Sequence, residues 1–242
     1  MREWDMGGKY KQGMRPWTEI REIIKDRVRT ERTKSHKKEL QPDIIKSRKK
    51  DKTEYYNIPC SFDIETTSWY EQGEKRACMY IWMFGINGAV VYGRTWGEYL
   101  DMIAIIEEEL HLCKDLQLVV YVHNLAYEFQ FIRKWESWAK VFAIAPLKPV
   151  RATTEGGIQY RCSYILTNKS LEKVGEDLLK YKVEKLSGAL DYDKKRGPET
   201  YLSPLELAYC ENDVRVVMSR VQEKIEQDGN IDRIQLTSTG YV

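Results

Sequence analysis

Two carboxylates stand two residues apart in the largely apolar stretch Ser61-Phe62-Asp63-Ile64-Glu65-Thr66-Thr67. If this stretch is a strand, Asp63 and Glu65 point to the same face, because side chains alternate along a strand. Two carboxylates on one face repel each other unless a cation lies between them. The spacing therefore predicts a cation site, and the alternative is a strand end whose polar face lies in water.

A second acidic segment, His123-Asn124-Leu125-Ala126-Tyr127-Glu128, follows the apolar run 118–122. Ligands of open α/β sheets bind at the carboxyl ends of strands, which favours a functional Glu128. The alternative is structural, because an acid in the first turn of a helix is favourable through the helix dipole alone. His123 by itself is more often a hydrogen-bonded structural histidine than a ligand.

A third acidic segment lies on a predicted helix whose first residues are clearly marked in the sequence. Ser203-Pro204-Leu205-Glu206 combines an N-cap serine, a proline at the first helical position and a glutamate at the third. Tyr209 and Asp213 are four residues apart and so share a face of this helix. An acid near an apolar face needs a basic or metallic partner, so the alternatives are a salt bridge or a solvated helix edge.

Together the three segments form a more specific set than any one of them. Two divalent cations about 4 Å apart need bridging carboxylates, and such a pair activates a water and stabilises the leaving oxygen of a phosphodiester. Oxygen ligands alone suit Mg²⁺ or Mn²⁺. A tyrosine hydroxyl can orient the water, so no histidine base is required. The set predicts two-metal phosphodiester hydrolysis.

The elements that must position these side chains alternate between strand and helix signals. Strands are predicted at residues 58–64, 79–86, 89–94, 118–122, 141–145 and 158–166, and helices at 97–113, 127–138, 171–179 and 204–227. Asn87-Gly88 is a two-residue hairpin signal. Antiparallel strands followed by a βαβ crossover predict an α/β fold, a mixed sheet of five or more strands with flanking helices. This order of elements resembles the ribonuclease H-like fold.

The charge of the chain is uneven although its net value is only +2. Residues 1–57 carry 17 basic and 10 acidic side chains, whereas residues 58–242 carry 22 basic and 27 acidic ones. We expect residues 1–57 to form a basic, partly helical arm without a core of its own, with one helix around residues 17–28. Such an arm is either merely solvated or contacts nucleic acid, in which case deleting it should flatten the salt dependence of binding.

Composition excludes several classes of protein. With 242 residues, 42% of them hydrophobic, the chain can bury a full core and is neither disordered nor fibrous. No apolar run reaches the ~20 residues of a membrane span, and the first ten residues do not resemble a signal peptide. Five widely spaced cysteines without a CxxC pair indicate free thiols in a reducing compartment rather than a zinc site.

The three acidic segments resemble, in order, the three motifs of the 3′→5′ exonuclease domain of family B DNA polymerases, of the DEDD type with a tyrosine in its third motif. More narrowly, the chain is similar to the protein-primed polymerases of tailed phages. Lys169-Ser170-Leu171 resembles their single-strand-binding segment, and Leu190-Asp191-Tyr192-Asp193-Lys194 resembles the stretch before their third motif. The resemblance covers about residues 58–242.

The resemblance implies a role for each matching residue. Asp63, Glu65 and Asp213 would bind two Mg²⁺ or Mn²⁺ ions directly, Glu128 would hold the second ion through water, and Tyr209 would position the attacking water. The frayed 3′ end of single-stranded DNA would be held by Thr66, Asn124, Tyr127, Phe131, Ser170 and Leu171. Aromatic faces suit this task because stacking tolerates any base.

The chain departs from the family's pattern at two places. Glu128 stands where the family most often has an aspartate, so the rate is expected to differ. The supporting lysine of the subfamily aligns with Ser187, and Lys185 is the nearest candidate. We expect the exonuclease domain to span residues 58–230 and a linker towards a polymerase palm to begin at 231–242, since no palm motif is present.

Three functions remain open at this point. The first is the proofreading part of a protein-primed DNA polymerase, in the cytoplasm of a phage host, with a separate polymerase half and a terminal protein as partners. The second is an inactive exonuclease-like module that binds single-stranded DNA. The third is a free-standing DEDD nuclease, which comparison of RNA and DNA substrates would distinguish. No membrane partner is expected.

Overall fold

The structure, a computed structural model, describes residues 13–28, 33–35, 38–40, 43–47, 52–183, 191 and 194–241. Its strands are β1 (Arg15–Pro16), β2 (Thr33–Ser35), β3 (Lys38–Leu40), β4 (Ile44–Lys46), β5 (Glu54–Tyr56), β6 (Cys60–Glu71), β7 (Glu74–Ile86), β8 (Ala89–Gly93), β9 (Leu116–Val122), β10 (Trp138–Ala145), β11 (Lys148–Thr154) and β12 (Ile158–Cys162). Its α-helices are α1 (Ile20–Arg27), α2 (Trp96–Glu109), α3 (Leu125–Ile132), α4 (Ser163–Thr167), α5 (Leu171–Glu176) and α6 (Pro204–Asp228). Short 3-10 helices cover Trp17–Glu19 and Ser238–Tyr241.

One mixed, ten-stranded sheet organises the chain. Its main path runs β1-β8-β7-β6-β9-β12-β11-β10, and β5 joins β9 while pairing with β4. The β6-β7-β8 meander is antiparallel, whereas β9 runs parallel to β6, β12 and β5. Asn87 and Gly88 both have positive φ, 43° and 89°, as a two-residue hairpin between β7 and β8 requires. The predicted α/β class, a mixed sheet with flanking helices, is confirmed.

Helices cover both faces of this sheet. On one face, α1 and α2 enclose the main core, in which Phe62 and Ile64 of β6 are buried. On the other face, α6 packs through Val214 and Met218 against side chains of β7. Side chains alternate along β6, so this arrangement leaves Ser61, Asp63 and Glu65 on the face towards α6.

The predicted strand over residues 158–166 is wrong in its second half. Strand β12 pairs with β9 only as far as the Cys162–Val122 pair, where β9 itself ends. Without a partner strand the chain turns into α4, which buries Leu166 against α6. The helix predicted over 127–138 is also too long, because Trp138 already begins β10 at the edge of the sheet.

The described residues before residue 58 share the core of the rest of the chain. Helix α1 buries Ile20, Ile23 and Ile24 completely or nearly so, and β1 pairs in parallel with β8. Helix α1 thus packs on the common core, whereas β2 and β3 pair with each other as a separate two-stranded sheet. The divisions at residues 57 and 230 stay predictions.

Two further sequence expectations concern thiols and membranes. All five cysteines belong to the described part of the chain, and each is a free thiol. Among the described residues, no helix combines the length and apolar character that crossing a bilayer demands.

Candidate active site

Strand β6 presents the first two carboxylates. Asp63 and Glu65 lie on the face of β6 that α6 covers, whereas Phe62 and Ile64 are buried on the opposite face. The parallel register of Ser61 with Tyr121 brings Asp63 level with His123, directly beyond the carboxyl end of β9. A register shift between Glu65 and Thr66 marks a β-bulge, which changes the direction of the strand next to the acids.

Helix α6 reaches this strand at close range. The Ser61 hydroxyl donates a 2.9 Å hydrogen bond to the Val214 carbonyl oxygen, and both atoms are buried. Gly85, the partner of Ser61 in β7, leaves room for this approach, because a Cβ there would lie 2.7 Å from Val214 Cγ1. The start of α6 is fixed by the predicted capping box of Ser203 and Glu206. The helix therefore delivers Asp213 to a defined place above β6.

Asp63, Glu65 and Asp213 come together at this contact. One carboxylate oxygen of each lies within 4.8 Å of the others, and all three residues remain partly accessible. The sequence predicted that these three acids share a site, and the geometry brings them together. Their spacing suits ligands of a common cation, since carboxylates at this distance repel each other when no cation is bound.

Glu128 lies in the first turn of α3, which follows β9 directly. The turn between them depends on Asn124, whose φ of 71° is left-handed and which precedes the helix as its N-cap residue. Glu128 is only 4% exposed, and its Oε2 atom has no hydrogen-bond partner among the described residues. Burying a carboxylate oxygen without a hydrogen-bond partner costs free energy of folding. A cation or a hydrogen-bond donor at this oxygen would therefore stabilise the fold.

The pKa values of all four acids are raised, chiefly by burial. Burial and the neighbouring charges of Glu128, Glu65 and Asp213 hold the pKa of Asp63 well above its usual value. Burial, followed by repulsion from a neighbouring acid, raises the pKa of Glu65 and of Glu128, although Arg196 partly counteracts this at Glu65. Burial raises the pKa of Asp213 to about 6. Such a cluster is ionised at neutral pH only at a cost in stability.

Divalent cations fit this donor set. It offers carboxylate oxygens only, which are the ligands that Mg²⁺ and Mn²⁺ prefer. The partnerless Glu128 oxygen and the mutual repulsion of Asp63, Glu65 and Asp213 are both deficits that positive charge removes.

An aromatic pair, exposed Tyr127 and partly buried Phe131, lies beside the acids. The Tyr127 hydroxyl group is hydrogen-bonded to the Thr66 hydroxyl, which ties α3 to β6. The rings of Tyr127 and Phe131 are 5.3 Å apart on the same helix, and Tyr127 is 39% exposed. Three of the predicted DNA-contacting residues thus lie together, and exposed Asn124 precedes them in the chain.

The remaining predicted site residues lie in different surroundings. Tyr209 is partly buried on α6, one turn before Asp213, against the cluster that also contains Cys210. Ser170 caps α5 by accepting a hydrogen bond from the Lys173 amide, and Leu171 packs against the buried cluster that joins Leu166 of α4 to Val217 of α6. These contacts give both residues a structural role. Lys185 falls outside the described residues.

His123 behaves as a structural histidine, in line with the structural interpretation of its sequence. Its Nδ1 atom lies 3.1 Å from the Ser163 hydroxyl oxygen, and its ring packs edge-on against Tyr164. Burial lowers the pKa of His123 to about 4, so the ring is neutral at neutral pH.

Arg196 is a neighbour of the acids that sequence reasoning missed. Its side chain is only 3% exposed, and it forms a 2.7 Å ion pair with Glu206. In the sequence it ends the polar run Asp193-Lys194-Lys195-Arg196, which is typical of a solvated loop. Its distance along the chain from Asp63 and Glu65 leaves no local signal of the contact.

Several solved structures of Phi29 DNA polymerase resemble this fold. The complex with primer-template DNA and incoming nucleotide substrates matches with 17% identity and a TM-score of 0.55, covering 69% of this chain and 31% of that one. The orthorhombic crystal form matches with 19% identity and a TM-score of 0.54, covering 74% and 32%. A complex with single-stranded DNA has 19% identity and a TM-score of 0.54.

These likenesses establish the fold, and this chain spans about a third of the length of the polymerase chains it matches. No family model matches the sequence, and comparison with curated proteins finds no match either.

Proposed function

We propose that this chain is the 3′→5′ exonuclease part of a protein-primed family B DNA polymerase, which removes nucleotides from the 3′ end of single-stranded DNA. The observation that carries the proposal is the convergence of Asp63, Glu65 and Asp213 within 4.8 Å, with the partnerless carboxylate of Glu128 as the fourth predicted acid. The fold shared with part of Phi29 DNA polymerase supports the same conclusion.

In this proposal the four carboxylates hold two divalent cations. Asp63, Glu65 and Asp213, whose oxygens lie together, would bind directly, and Glu128 would act through a water, as the resembling family implies. Bound divalent ions of this kind lower the pKa of an attacking water and stabilise the leaving oxygen of a phosphodiester. Tyr209 lies one helical turn before Asp213 on the same face of α6, where its hydroxyl orients that water.

The 3′-terminal bases are received by the aromatic pair on α3. Tyr127 is exposed beside Thr66, and Phe131 lies one turn further along the helix. Stacking on such rings accepts any base, which a proofreading site requires. Asn124, Ser170 and Leu171 complete the predicted contacts with the strand, and a polymerase half and a terminal protein are the partners this function implies in a host cytoplasm.

The direct test is a time course on a 5′-labelled single-stranded DNA oligonucleotide with Mg²⁺, with Mn²⁺ and with EDTA. The wild-type protein should give a metal-dependent ladder that shortens from the 3′ end. Asp63→Ala should abolish the ladder while DNA binding persists. Glu211→Gln is the matched control, because Glu211 is on α6 two residues from Asp213 but pairs with Arg215 at 2.5 Å.

Each other outcome counts against a stated part of the proposal. Retained metal-dependent cleavage by Asp63→Ala would rule out this site. Single-strand binding without cleavage in either metal would identify an inactive binding module instead. Faster cleavage of a matched RNA oligonucleotide would identify a nuclease of RNA.

A further inference from the structure

Arg196 is buried at a junction of three parts of the fold. One terminal nitrogen, Nη1, donates to the carbonyl oxygens of Asp191 and Lys194, at 2.6 and 3.3 Å. The other, Nη2, donates to Glu206 Oε1 at 2.7 Å. The guanidinium carbon also lies 5.7 Å from the centre of the Tyr80 ring, on β7. One side chain thus connects the loop before α6, the first turn of α6 and the sheet.

Glu206 links this arginine to the position of α6. Its Oε2 atom accepts the Ser203 amide at 2.8 Å in the capping box, while Oε1 accepts the Arg196 hydrogen bond. These hydrogen bonds hold the pKa of Glu206 down to about 2. The same carboxylate therefore both starts the helix and fastens it to Arg196, and Tyr209 is only three residues further along.

The part of this junction that belongs to the sheet, at Tyr80, lies next to Glu65. Tyr80 precedes Ile81, the β7 partner of Glu65, so its ring and the Arg196 guanidinium belong to the same part of the sheet. The charge of Arg196 lowers the pKa of Glu65, which places the two groups within electrostatic reach. Arg196 Nε is buried without a hydrogen-bond partner among the described residues. Carbonyl contacts and one ion pair thus leave one of its N–H donors unsatisfied.

We propose that Arg196 is a positioning residue of the candidate site, which holds the start of α6 against β6 and β7 so that Tyr209 and Asp213 meet Asp63 and Glu65. This inference rests on the proposed function. It assigns a role in hydrolysis rather than in strand binding, because the contacts of Arg196 are with the loop, α6 and β7, whereas the aromatic pair of Tyr127 and Phe131 belongs to α3.

Arg94 offers a matched control. It anchors the same loop by donating to the carbonyl oxygens of Gly197 and Thr200, at 3.0 and 2.8 Å, and to that of Tyr80 at 2.5 Å. These bonds all go to backbone carbonyl oxygens, whereas Arg196 also bonds the Glu206 carboxylate and lowers the pKa of Glu65. Arg94→Met therefore measures the cost of loosening the loop from the sheet without losing the contact with Glu206.

The experiment compares wild type, Arg196→Met, Arg196→Lys and Arg94→Met in the full chain. Calorimetry measures Mn²⁺ binding, thermal unfolding in EDTA measures stability, and single-stranded DNA hydrolysis gives kcat and KM. For Arg196→Met we expect weaker Mn²⁺ binding and a kcat reduced about 10- to 100-fold, as small misplacements of reacting groups produce, with little change in KM. Arg196→Lys keeps the positive charge but cannot make both guanidinium contacts, with the loop carbonyl oxygens and with Glu206. It should therefore recover part of the Mn²⁺ affinity and part of the kcat that Arg196→Met loses.

The outcomes separate this inference from the proposed function. If Arg196→Met matches Arg94→Met in Mn²⁺ affinity and kcat, the positioning role is overturned while the nuclease stands. If the wild type neither binds Mn²⁺ nor cleaves DNA, both are overturned. If Arg196→Met does not fold, Arg196→Lys decides, because a folded variant with wild-type kcat and Mn²⁺ affinity also contradicts the role.

Discussion

Ser61 and Val214 are 153 residues apart in the chain and are joined by a buried hydrogen bond of 2.9 Å. Each lies beside a site carboxylate, since Asp63 follows Ser61 on the same face of β6 and Asp213 directly precedes Val214 on α6. The bond therefore fixes the two elements at the point where the acids meet. The geometry of the candidate site depends on this contact as well as on the acids themselves.

Removing this bond should weaken Mn²⁺ binding at the candidate site and lower the free energy of unfolding only modestly. For Ser61→Ala we expect a loss of about 1 kcal/mol in the free energy of unfolding, the usual value of one hydrogen bond. Mn²⁺ affinity should fall as well, because the bond no longer holds Asp213 at a fixed distance from β6. Urea unfolding and Mn²⁺ calorimetry measure the two effects, and an affinity equal to that of the wild type would show that the bond is merely structural.

Gly85 makes the same approach possible from the neighbouring strand. Gly85→Ala places a Cβ 2.7 Å from Val214 Cγ1 and 2.9 Å from Met218 Cε, so α6 must move away from the sheet. We expect a loss of about 1–3 kcal/mol in stability, as for other overpacked cores, together with weaker Mn²⁺ binding. Gly97→Ala is the control, since a Cβ at that helical position would lie at an ordinary contact distance, 3.9 Å, from Thr95 Oγ1.

The raised carboxylate pKa values give the metal-free protein a distinct pH dependence. A carboxyl group whose pKa is higher in the folded than in the unfolded state loses its stabilising effect as the pH rises through the folded value. The folded pKa of Asp213 is raised to about 6, that of Glu65 to about 7 and that of Glu128 to about 8, and that of Asp63 is also raised, so Glu65 and Glu128 titrate in the folded state between pH 6.5 and 8. Stability in EDTA should therefore fall between pH 6.5 and 8.

Divalent cations should reverse this trend. Mg²⁺ binds the ionised acids, so its stabilising effect should grow from pH 6.5 to pH 8. His123 has a lowered pKa, so its protonation makes the stability of the protein fall as the pH drops below about 6.5, the ordinary histidine value. This contribution is the same with and without Mg²⁺. Thermal unfolding at each pH, with Mg²⁺ and with EDTA, isolates the cation effect. A Mg²⁺ shift that is independent of pH would contradict a carboxylate site.

Glu128 should show a conflict between stability and activity. Glu128→Gln removes a buried carboxylate whose Oε2 atom has no hydrogen-bond partner among the described residues, so the metal-free protein should be more stable at pH 8 than the wild type. Hydrolysis of single-stranded DNA should fall with it. Glu128→Asp, the residue of the resembling family, should retain activity at a different rate. Reduced stability of Glu128→Gln at pH 8 would mean that the carboxylate is already satisfied.

The basic residues near the N-terminus should add affinity for DNA that does not depend on sequence. Deleting residues 1–57 is no longer a clean test, because Ile20, Ile23 and Ile24 belong to the core. Neutralising the basic cluster to glutamine is cleaner; its members are Lys46, Arg48, Lys49, Lys50 and Lys52. The slope of log affinity against log salt should flatten by about 0.7 for each phosphate that is no longer neutralised. An unchanged slope would show that the cluster is only solvated.

The carboxylates were predictable from sequence because their signals are local. Asp63 and Glu65 interrupt an apolar strand, and Asp213 follows a capping box whose geometry depends on four adjacent residues. Likewise Asn87-Gly88 predicts its hairpin, because two successive positive φ angles restrict the choice of residues. The α/β class and the grouping of the three acids both followed from such signals.

The parts that sequence reasoning missed depend on distant partners. Residues 163–166 are as apolar as the strand before them, and they become helical because β9 ends at Val122. Strand β11 is similarly defined by pairing with β12 and β10 rather than by its own pattern. Arg196 resembles any loop arginine until Glu206 and Tyr80 surround it.

The position of α6 late in the chain has a consequence during synthesis on the ribosome. Until residues 204–228 have emerged, the Tyr80 and Met83 face of the sheet has no cover, because Cys210, Val214 and Met218 supply it. Asp63 and Glu65 would meanwhile lack Asp213, so a nascent chain cannot act as a nuclease. A chain truncated before α6 would therefore lack the complete set of acids and expose an apolar face of the kind that chaperones and proteases recognise.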